Sequence, residues 1–391
     1  MSKLEQLINE LCPEGVEYRR LENCCEILDN KRKPVTKSAR EAGKYPYYGA
    51  NGIQDYVSNY IFDGTFVLVG EDGSVVTEIG TPIVTWATGK IWVNNHAHII
   101  SEINGVLLRY LFHYLQTVPV KHLIHGNIPK LTGGDFRALK IAVPPLPVQE
   151  EIVRILDKFT ELTAKLTAEL TARKQQYEYY KSSLLTFGNE IEWKSLGDVC
   201  IVQAGGTPSK NESLYWENGN IKWLSSTVCK NQKNVDEITN YITEQGLLKS
   251  SAKMMKANTT LIALVGATIG KVAFLPFEAA INQNIAGIYP INDNDVDPSY
   301  VYYACAMLYP KFLELSSGKL AMANLSFVRN LKIPIPPLEK QQRIVDILDR
   351  FDKLCNDISD GLPAEIEARQ KQYEYYRDKL LTFKKKEATE K

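Results

Sequence analysis

Pro144-Pro-Leu-Pro-Val-Gln-Glu-Glu-Ile-Val-Arg-Ile-Leu-Asp-Lys-Phe159 recurs 192 residues later as Pro336-Pro-Leu-Glu-Lys-Gln-Gln-Arg-Ile-Val-Asp-Ile-Leu-Asp-Arg-Phe351. Downstream, Ala172-Arg-Lys-Gln-Gln-Tyr-Glu-Tyr-Tyr180 recurs as Ala368-Arg-Gln-Lys-Gln-Tyr-Glu-Tyr-Tyr376, and both copies close on Leu-Leu-Thr-Phe, at 184–187 and 380–383. Chance does not produce such a match, so the chain is an internal duplication, and the duplication sets the architecture.

The repeated blocks read as helices. Ile152, Ile155, Leu156, Phe159, Leu162, Leu166 and Leu170 follow three- and four-residue spacing, which lines one face of a helix with apolar side chains. Ile344, Ile347, Leu348 and Phe351 repeat that stripe in the second copy. The Pro-Pro-Leu-Pro run before the first stripe predicts a stiff extended approach rather than helix. A helix from about Val148 to Phe187 would be ~60 Å long. A domain of this size cannot bury a lone helix that long, so a partner is required. The duplicate, from about Lys340 to Lys386, is the expected antiparallel partner, broken or kinked at Asp360-Gly-Leu-Pro363.

Outward from the helices, only the edges of the intervening stretches match. Val16-Glu-Tyr-Arg-Arg-Leu21 resembles Ile191-Glu-Trp-Lys-Ser-Leu196, and Arg137-Ala-Leu-Lys-Ile141 resembles Arg329-Asn-Leu-Lys-Ile333. Between those edges the two stretches largely diverge, which suggests one fold carrying two different binding surfaces. The interiors read as mixed α and β. Strands are expected at Thr65–Val69, Pro82–Trp86, Ile91–Val93, Thr260–Val265 and Lys271–Leu275. Helices are expected over Val106–Leu115 and from Pro298 to about Leu315, the latter with Asp297 as N-cap. The fold class is therefore α+β: two mixed units with long antiparallel helices as a spacer. The segments are 1–15, 16–143, 144–190, 191–335 and 336–391.

The chain has 391 residues, 44% hydrophobic and 24% charged, with 46 Lys plus Arg against 46 Asp plus Glu. That length calls for two or three domains, and the balance excludes disorder and a globally basic binder while permitting a local basic patch. No run of about 18 uncharged apolar residues exists to span a membrane. Met1 to Leu11 is charged throughout and lacks the apolar stretch of a signal peptide. Seven cysteines (Cys12, Cys24, Cys25, Cys200, Cys229, Cys305 and Cys355) form no Cys-x-x-Cys. An odd count without metal spacing argues for reduced thiols and a cytoplasmic location. Of the histidines His96, His98, His113, His122 and His125, His96 and His98 would share one face of a strand beside Trp92. With no carboxylate or Cys nearby to complete a shell, they read as structural and no metal is expected.

Catalytic motifs fail on their chemistry. Gly266-Ala-Thr-Ile-Gly270-Lys271 is one residue short of a phosphate loop, and Val272 replaces the magnesium-binding hydroxyl, so a turn between strands is expected. Asp297-Pro-Ser-Tyr300 resembles an amino-methyltransferase loop but lacks its second proline and any upstream glycine-rich cofactor loop. No acidic–lysine nuclease constellation has convincing spacing. Basic and aromatic residues, by contrast, cluster. The segment from Lys31, Arg32 and Lys33 to Lys44 carries six positive charges and one negative, and leads into Tyr47, Tyr48 and Asn51. In the second interior, Lys210 and Asn211 follow a Gly-Gly-Thr-Pro turn, and Lys249, Lys253 and Lys256 fall at helical spacing. Cations suit phosphates, while Tyr and Asn in flanking loops suit base edges.

Two divergent segments, each followed by Pro-Pro-Leu…Gln-x-x-Ile-Val-x-Ile-Leu-Asp, resemble the specificity subunit of type I restriction-modification systems over the whole chain. Thr163-Ala-Lys-Leu-Thr-Ala-Glu-Leu170 is similar to the Thr-Ala-Glu-Leu central repeats of one subfamily. The resemblance implies that each divergent segment is a target-recognition domain reading half of a bipartite DNA target. It implies that the conserved helices dock two methyltransferase subunits, with restriction subunits joining them. It also implies a pseudo-twofold, near-circular molecule with Met1–Leu11 packed near the C-terminal helix. No cofactor is expected on this chain; S-adenosylmethionine, ATP and magnesium would belong to the partners. The rival readings are a self-sufficient DNA-modifying enzyme and a coiled-coil scaffold unrelated to DNA.

Overall fold

The computed structural model describes residues 2–387 except 74, 125–126, 189, 316–321 and 358, so His125 lies outside the described residues. Two compact units emerge, Met1–Lys165 with Ile366–Lys391, and Leu166–Glu365. The divisions fall within the helical segments, at Lys165/Leu166 and Glu365/Ile366.

In the first unit a six-stranded sheet runs in the order Glu26–Ile27, Ala97–Ser101, Phe62–Gly70, Val84–Val93, Ala42–Gly49, Gly52–Val57. Val84–Val93 is one ten-residue strand where the sequence suggested two short ones. Gly89 lies within it at φ +80°, and its gap in the apolar pattern hid the continuity. The second unit has a five-stranded sheet, from Cys200–Ala204 through Ile285–Pro290, Thr259–Ala263 and Val272–Leu275 to Gln232–Asn234. A four-stranded sheet of Asn240–Ile242, Ile221–Leu224, Ala279–Ile281 and Lys253–Met255 accompanies it.

The edges matched in sequence meet in space. Glu17–Arg20 pairs antiparallel with Lys140–Val143, placing Arg19 opposite Ile141. Trp193–Ser195 pairs with Lys332–Pro334, placing Lys194 opposite Ile333. The register is conserved between the copies, so each divergent interior hangs from the same two-stranded clasp.

The first long helix spans Leu146–Leu185. It begins inside the proline run, earlier than predicted, because Pro147 falls in the first turn, where a missing N–H costs no helical bond. The second copy forms Leu338–Asn356 and Leu362–Leu380, interrupted where predicted. At the break the Asp357 carboxylate accepts from the Ser359 and Asp360 amides. Gly361 sits so close to the preceding turn that a Cβ would lie 2.6 Å from the Asp357 oxygen. Pairing is antiparallel in each unit. Phe159 stacks on Tyr376 at 5.3 Å in the first, and Phe351 stacks on Tyr180 at 5.3 Å in the second. The predicted cap also forms: the Asp297 side chain accepts from Tyr300 N, with Pro298 at the start of Pro298–Ala306.

Two duplicated anchors seat the helices. Gln149 and Gln341 are fully buried. Gln149 Oε1 accepts from Leu107 N and its Nε2 donates to Gly105 O and Pro144 O. Gln341 repeats this with Asp297 N, Asp295 O and Pro336 O. About two turns further on, the helix offers a carboxylate. Asp157 accepts from His113 Nε2 and Arg109 Nε, at 2.9 and 2.8 Å, while Tyr373 donates its hydroxyl to His113 Nδ1 at 2.9 Å. Burial, first, holds the His113 imidazole below its ordinary range, consistent with this neutral pattern. In the second unit Asp349 accepts from Tyr303 at 2.5 Å and pairs closely with Lys233.

Thr260 Oγ1 is the one buried side-chain polar atom without a hydrogen-bond partner among the described residues. Thr260 is fully buried on the strand Thr259–Ala263. Thr260→Val keeps the shape and removes the stranded hydroxyl, so stability should rise by about 1 kcal/mol or more. Thermal unfolding would show a gain of ~2–4 °C; a lower midpoint would mean that the hydroxyl is satisfied. No described helix is long and apolar enough to cross a membrane.

Candidate nucleic-acid interface

The basic segment of the first unit divides into presented and internal cations. Lys31, Lys33 and Lys44 are exposed; Lys31 lies 3.9 Å from Glu26, and Lys44 reaches over the Tyr45 ring at 5.4 Å. Arg32 is turned inward, its side chain only 12% exposed. It donates to Glu71 Oε2 and Ala97 O, both at 2.6 Å, and so is not offered to a phosphate as the sequence suggested. Arg40 likewise lies over the Tyr47 ring at 4.2 Å and reaches Asp55 at 3.3 Å.

Tyr47 and Tyr48 are buried, contrary to their expected place near bases. The Tyr47 hydroxyl accepts from Val35 N and donates to Val35 O, so this ring organises the basic loop from beneath. Neighbouring strand residues face opposite sides, so both faces of Ala42–Gly49 are covered at this point, where the register also shifts between Tyr47 and Tyr48. Asn51 stays exposed at the two-residue turn between Ala42–Gly49 and Gly52–Val57.

Arg32 belongs to a network that the sequence concealed. His98 Nδ1 lies 2.7 Å from Asp29 and 3.5 Å from Glu71, and Lys130 Nζ lies 3.1 Å from Glu71. Carboxylates therefore do stand beside His98, brought from 69 and 27 residues away. Asp29, Glu71 and His98 bring their ligand atoms within 4.8 Å of one another, as a metal site would. The donor set argues against one. Arg32 and Lys130 already neutralise the carboxylates, and His98 Nδ1 is taken up by Asp29 at 2.7 Å. In the second unit Ala286 and Leu264 take the places of His98 and Glu71. His96 lies outside the strand and pairs with Asp72.

In the second unit Lys210 and Asn211 are exposed beyond Gly205-Gly206. A Cβ on Gly205 would lie 1.8 Å from the Ile281 oxygen, so only glycine lets the loop approach that strand. Lys253 is exposed on the strand Lys253–Met255, paired with Ile281. The helical spacing of Lys249, Lys253 and Lys256 was misleading: the helix Glu244–Leu248 ends before them, and the chain then joins a sheet edge. Lys256 lies 3.8 Å from Asp293.

The helix residues Ile152, Leu156, Ile344 and Leu348 are buried in their own units' cores, with Ile155, Phe159, Ile347 and Phe351 half-buried around them. They seat each helix on the core of its own unit.

One element escaped the sequence reading. Val93-Asn-Asn-His-Ala97 and Ile281-Asn-Gln-Asn-Ile285 form the same turn. Asn94 N donates to Tyr48 O and Asn282 N to Leu224 O, at 3.1 and 3.0 Å. The Asn94 side chain accepts from His96 N at 2.8 Å, and that of Asn282 from Asn284 N at 3.0 Å. Each turn then links to the next strand end, through Glu71 N to His96 O and Leu264 N to Asn284 O. An asparagine directly after an apolar strand in both interiors is the signal that could have revealed it.

Comparison with known proteins converges on one group. The family described as type I restriction modification DNA specificity domain matches residues 13–173 and again 189–368. The chain is 41% identical over 298 residues to a type I restriction enzyme specificity subunit of Escherichia coli, covering 73% of each protein. It is 37% identical over 378 residues to a candidate type I restriction enzyme specificity subunit of Haemophilus influenzae, covering 94% of this chain and 96% of that one. The fold is shared with the type I restriction-modification S subunit from M. genitalium, at TM-score 0.62 and 14% identity over 94% of this chain and 96% of that chain.

Proposed function

The chain belongs to the type I restriction modification DNA specificity family, and from that premise we propose that its two units each read one half of a bipartite duplex DNA target. It supplies specificity rather than catalysis. The carrying observation is that the family match falls twice, on the copies that the repeat, the clasps and the anchors define. The scaffold and self-sufficient enzyme readings have no comparable support.

Type I specificity subunits assemble with methyltransferase and restriction subunits. Two methyltransferase copies suit this chain, because its exposed helix residues are duplicated along with the buried ones. Tyr179 is 68% exposed and its repeat Tyr375 is 62% exposed, giving one partner type two equivalent surfaces. S-adenosylmethionine, ATP and magnesium would be bound by those partners. Seven buried free cysteines suit the reducing cytoplasm.

Lys31 and Lys33 are the phosphate contacts of the first unit. Each phosphate contact contributes about 0.9 to the slope of log affinity against log salt. Lys31→Ala with Lys33→Ala in the methyltransferase complex should flatten that slope by roughly 2 and weaken all sequences alike. An unchanged slope in a titration by fluorescence anisotropy would remove both lysines from the interface. Arg32→Ala should instead destabilise the fold, since it strips a partner from Glu71.

A further inference from the structure

The duplicated turn presents a side-chain amide at the same place in each unit. The first Asn of each turn is spent on the turn itself, and the residue after it, Asn95 or Gln283, is exposed. No described residue hydrogen-bonds the Asn95 side-chain amide; only its backbone carbonyl is engaged, by Arg32 at 3.5 Å. Gln283 is held from one side. Thr207 donates its hydroxyl to Gln283 Oε1 at 2.7 Å, which fixes the amide plane and leaves Nε2 and the second lone pair of Oε1 free.

The surroundings of Gln283 suit a polyanion. It lines a cleft of about 720 Å³ whose walls include Lys210, Trp216, Asn240 and Thr207 and no carboxylate. Another cleft in this unit, of about 550 Å³, sets Asp236, Asp349, Asp352 and Asp357 against Lys233 and Lys353, a net acidic lining less suited to a phosphate chain. Around the first turn Glu71 is neutralised by Arg32 and Lys130, and Asp72 is engaged by His96. A planar amide offers a donor and an acceptor side by side. Adenine shows the complementary pair, N7 and N6–H, in the major groove.

We propose that Asn95 and Gln283, at the apex of the duplicated turn, are specificity-determining residues, each reading one adenine in its own half of the target. Thr207 is a positioning residue for Gln283. The assignment rests on the specificity-subunit reading above and deepens it.

The test uses the full chain assembled with a methyltransferase subunit, methylating a randomised duplex library whose modified sequences are then read. The parent complex should return two defined half-sites. Gln283→Ala should relax one A·T position in one half by about 10- to 100-fold, and Asn95→Ala one position in the other. Gln283→Arg should move the preference at its position to guanine, and Thr207→Val should relax that same position more weakly. A parent motif left intact at every position by both alanine variants overturns the proposal. So does a uniform loss of methylation with each base still discriminated, which would make the amides backbone contacts. If the parent itself returns no bipartite motif, the specificity-subunit reading falls first and takes the proposal with it.

Discussion

Asp349→Ala should lower the melting midpoint of the Leu166–Glu365 unit by roughly 4–8 °C. Lys233 is the reason. Its side chain is only 9% exposed, and its ammonium sits 5.4 and 5.2 Å from the centres of the Phe274 and Tyr303 rings. The rings supply quadrupole attraction, but the close partner is the Asp349 carboxylate, which also accepts from Tyr303. Removing the carboxylate strands the buried ammonium, but Asp349 is itself 41% exposed, so the cost falls below that of a fully buried pair, at about 2 kcal/mol. Asp352, close enough to feel the Lys233 charge, recovers part of that. Combining the change with Lys233→Met should restore most of the loss, because an apolar chain of similar length fills the same slot. A single variant melting within a degree or two of the parent would show that the carboxylate does not hold Lys233.

The same constellation stands in the first unit with different residues. There Arg109 lies 4.7 Å over Trp86 and 4.6 Å over Phe112, and His113 replaces Tyr303. The anchor is thus conserved as an arrangement: a helix carboxylate, a cation between aromatic rings, and a ring donor. Tyr373 and Tyr177 complete the two sets from the antiparallel helix.

How far the sequence reached follows from what periodicity and repetition can encode. The long helices, the break at Gly361 and the Asp297 cap were legible because each is a local signal, and the repeat doubled the helical stripe. The Asp29–His98–Glu71–Arg32 network was not, since its members come from separate strands and loops that only the sheet brings together. Arg32 and Tyr47 looked like surface because a run of basic and aromatic residues carries no mark of which side chains turn inward. The lysines at 249, 253 and 256 shared a helical interval by accident, and tertiary pairing with Ala279–Ile281 decided for strand. The duplicated asparagine turn was hidden because loops of different length flank it in the two interiors, so its spacing matches neither edge offset.

Replacing residues 16–143 with the corresponding segment of a relative should change one half of the recognised sequence completely and leave the other untouched. The exchange points lie in the clasp formed by Glu17–Arg20 and Lys140–Val143, whose register is the same in both units. A foreign interior carrying those edges meets the same seat: Gln149 bonds only backbone atoms of the loop at Gly105 and Leu107. Assembly would then be retained while the surface that meets DNA is exchanged. The direct measurement is the methylation motif produced by the exchanged chain in its methyltransferase complex, read from a randomised duplex library beside the parent motif. The account predicts one new half-site joined to one unchanged half-site; alteration of both halves, or of neither, would contradict it.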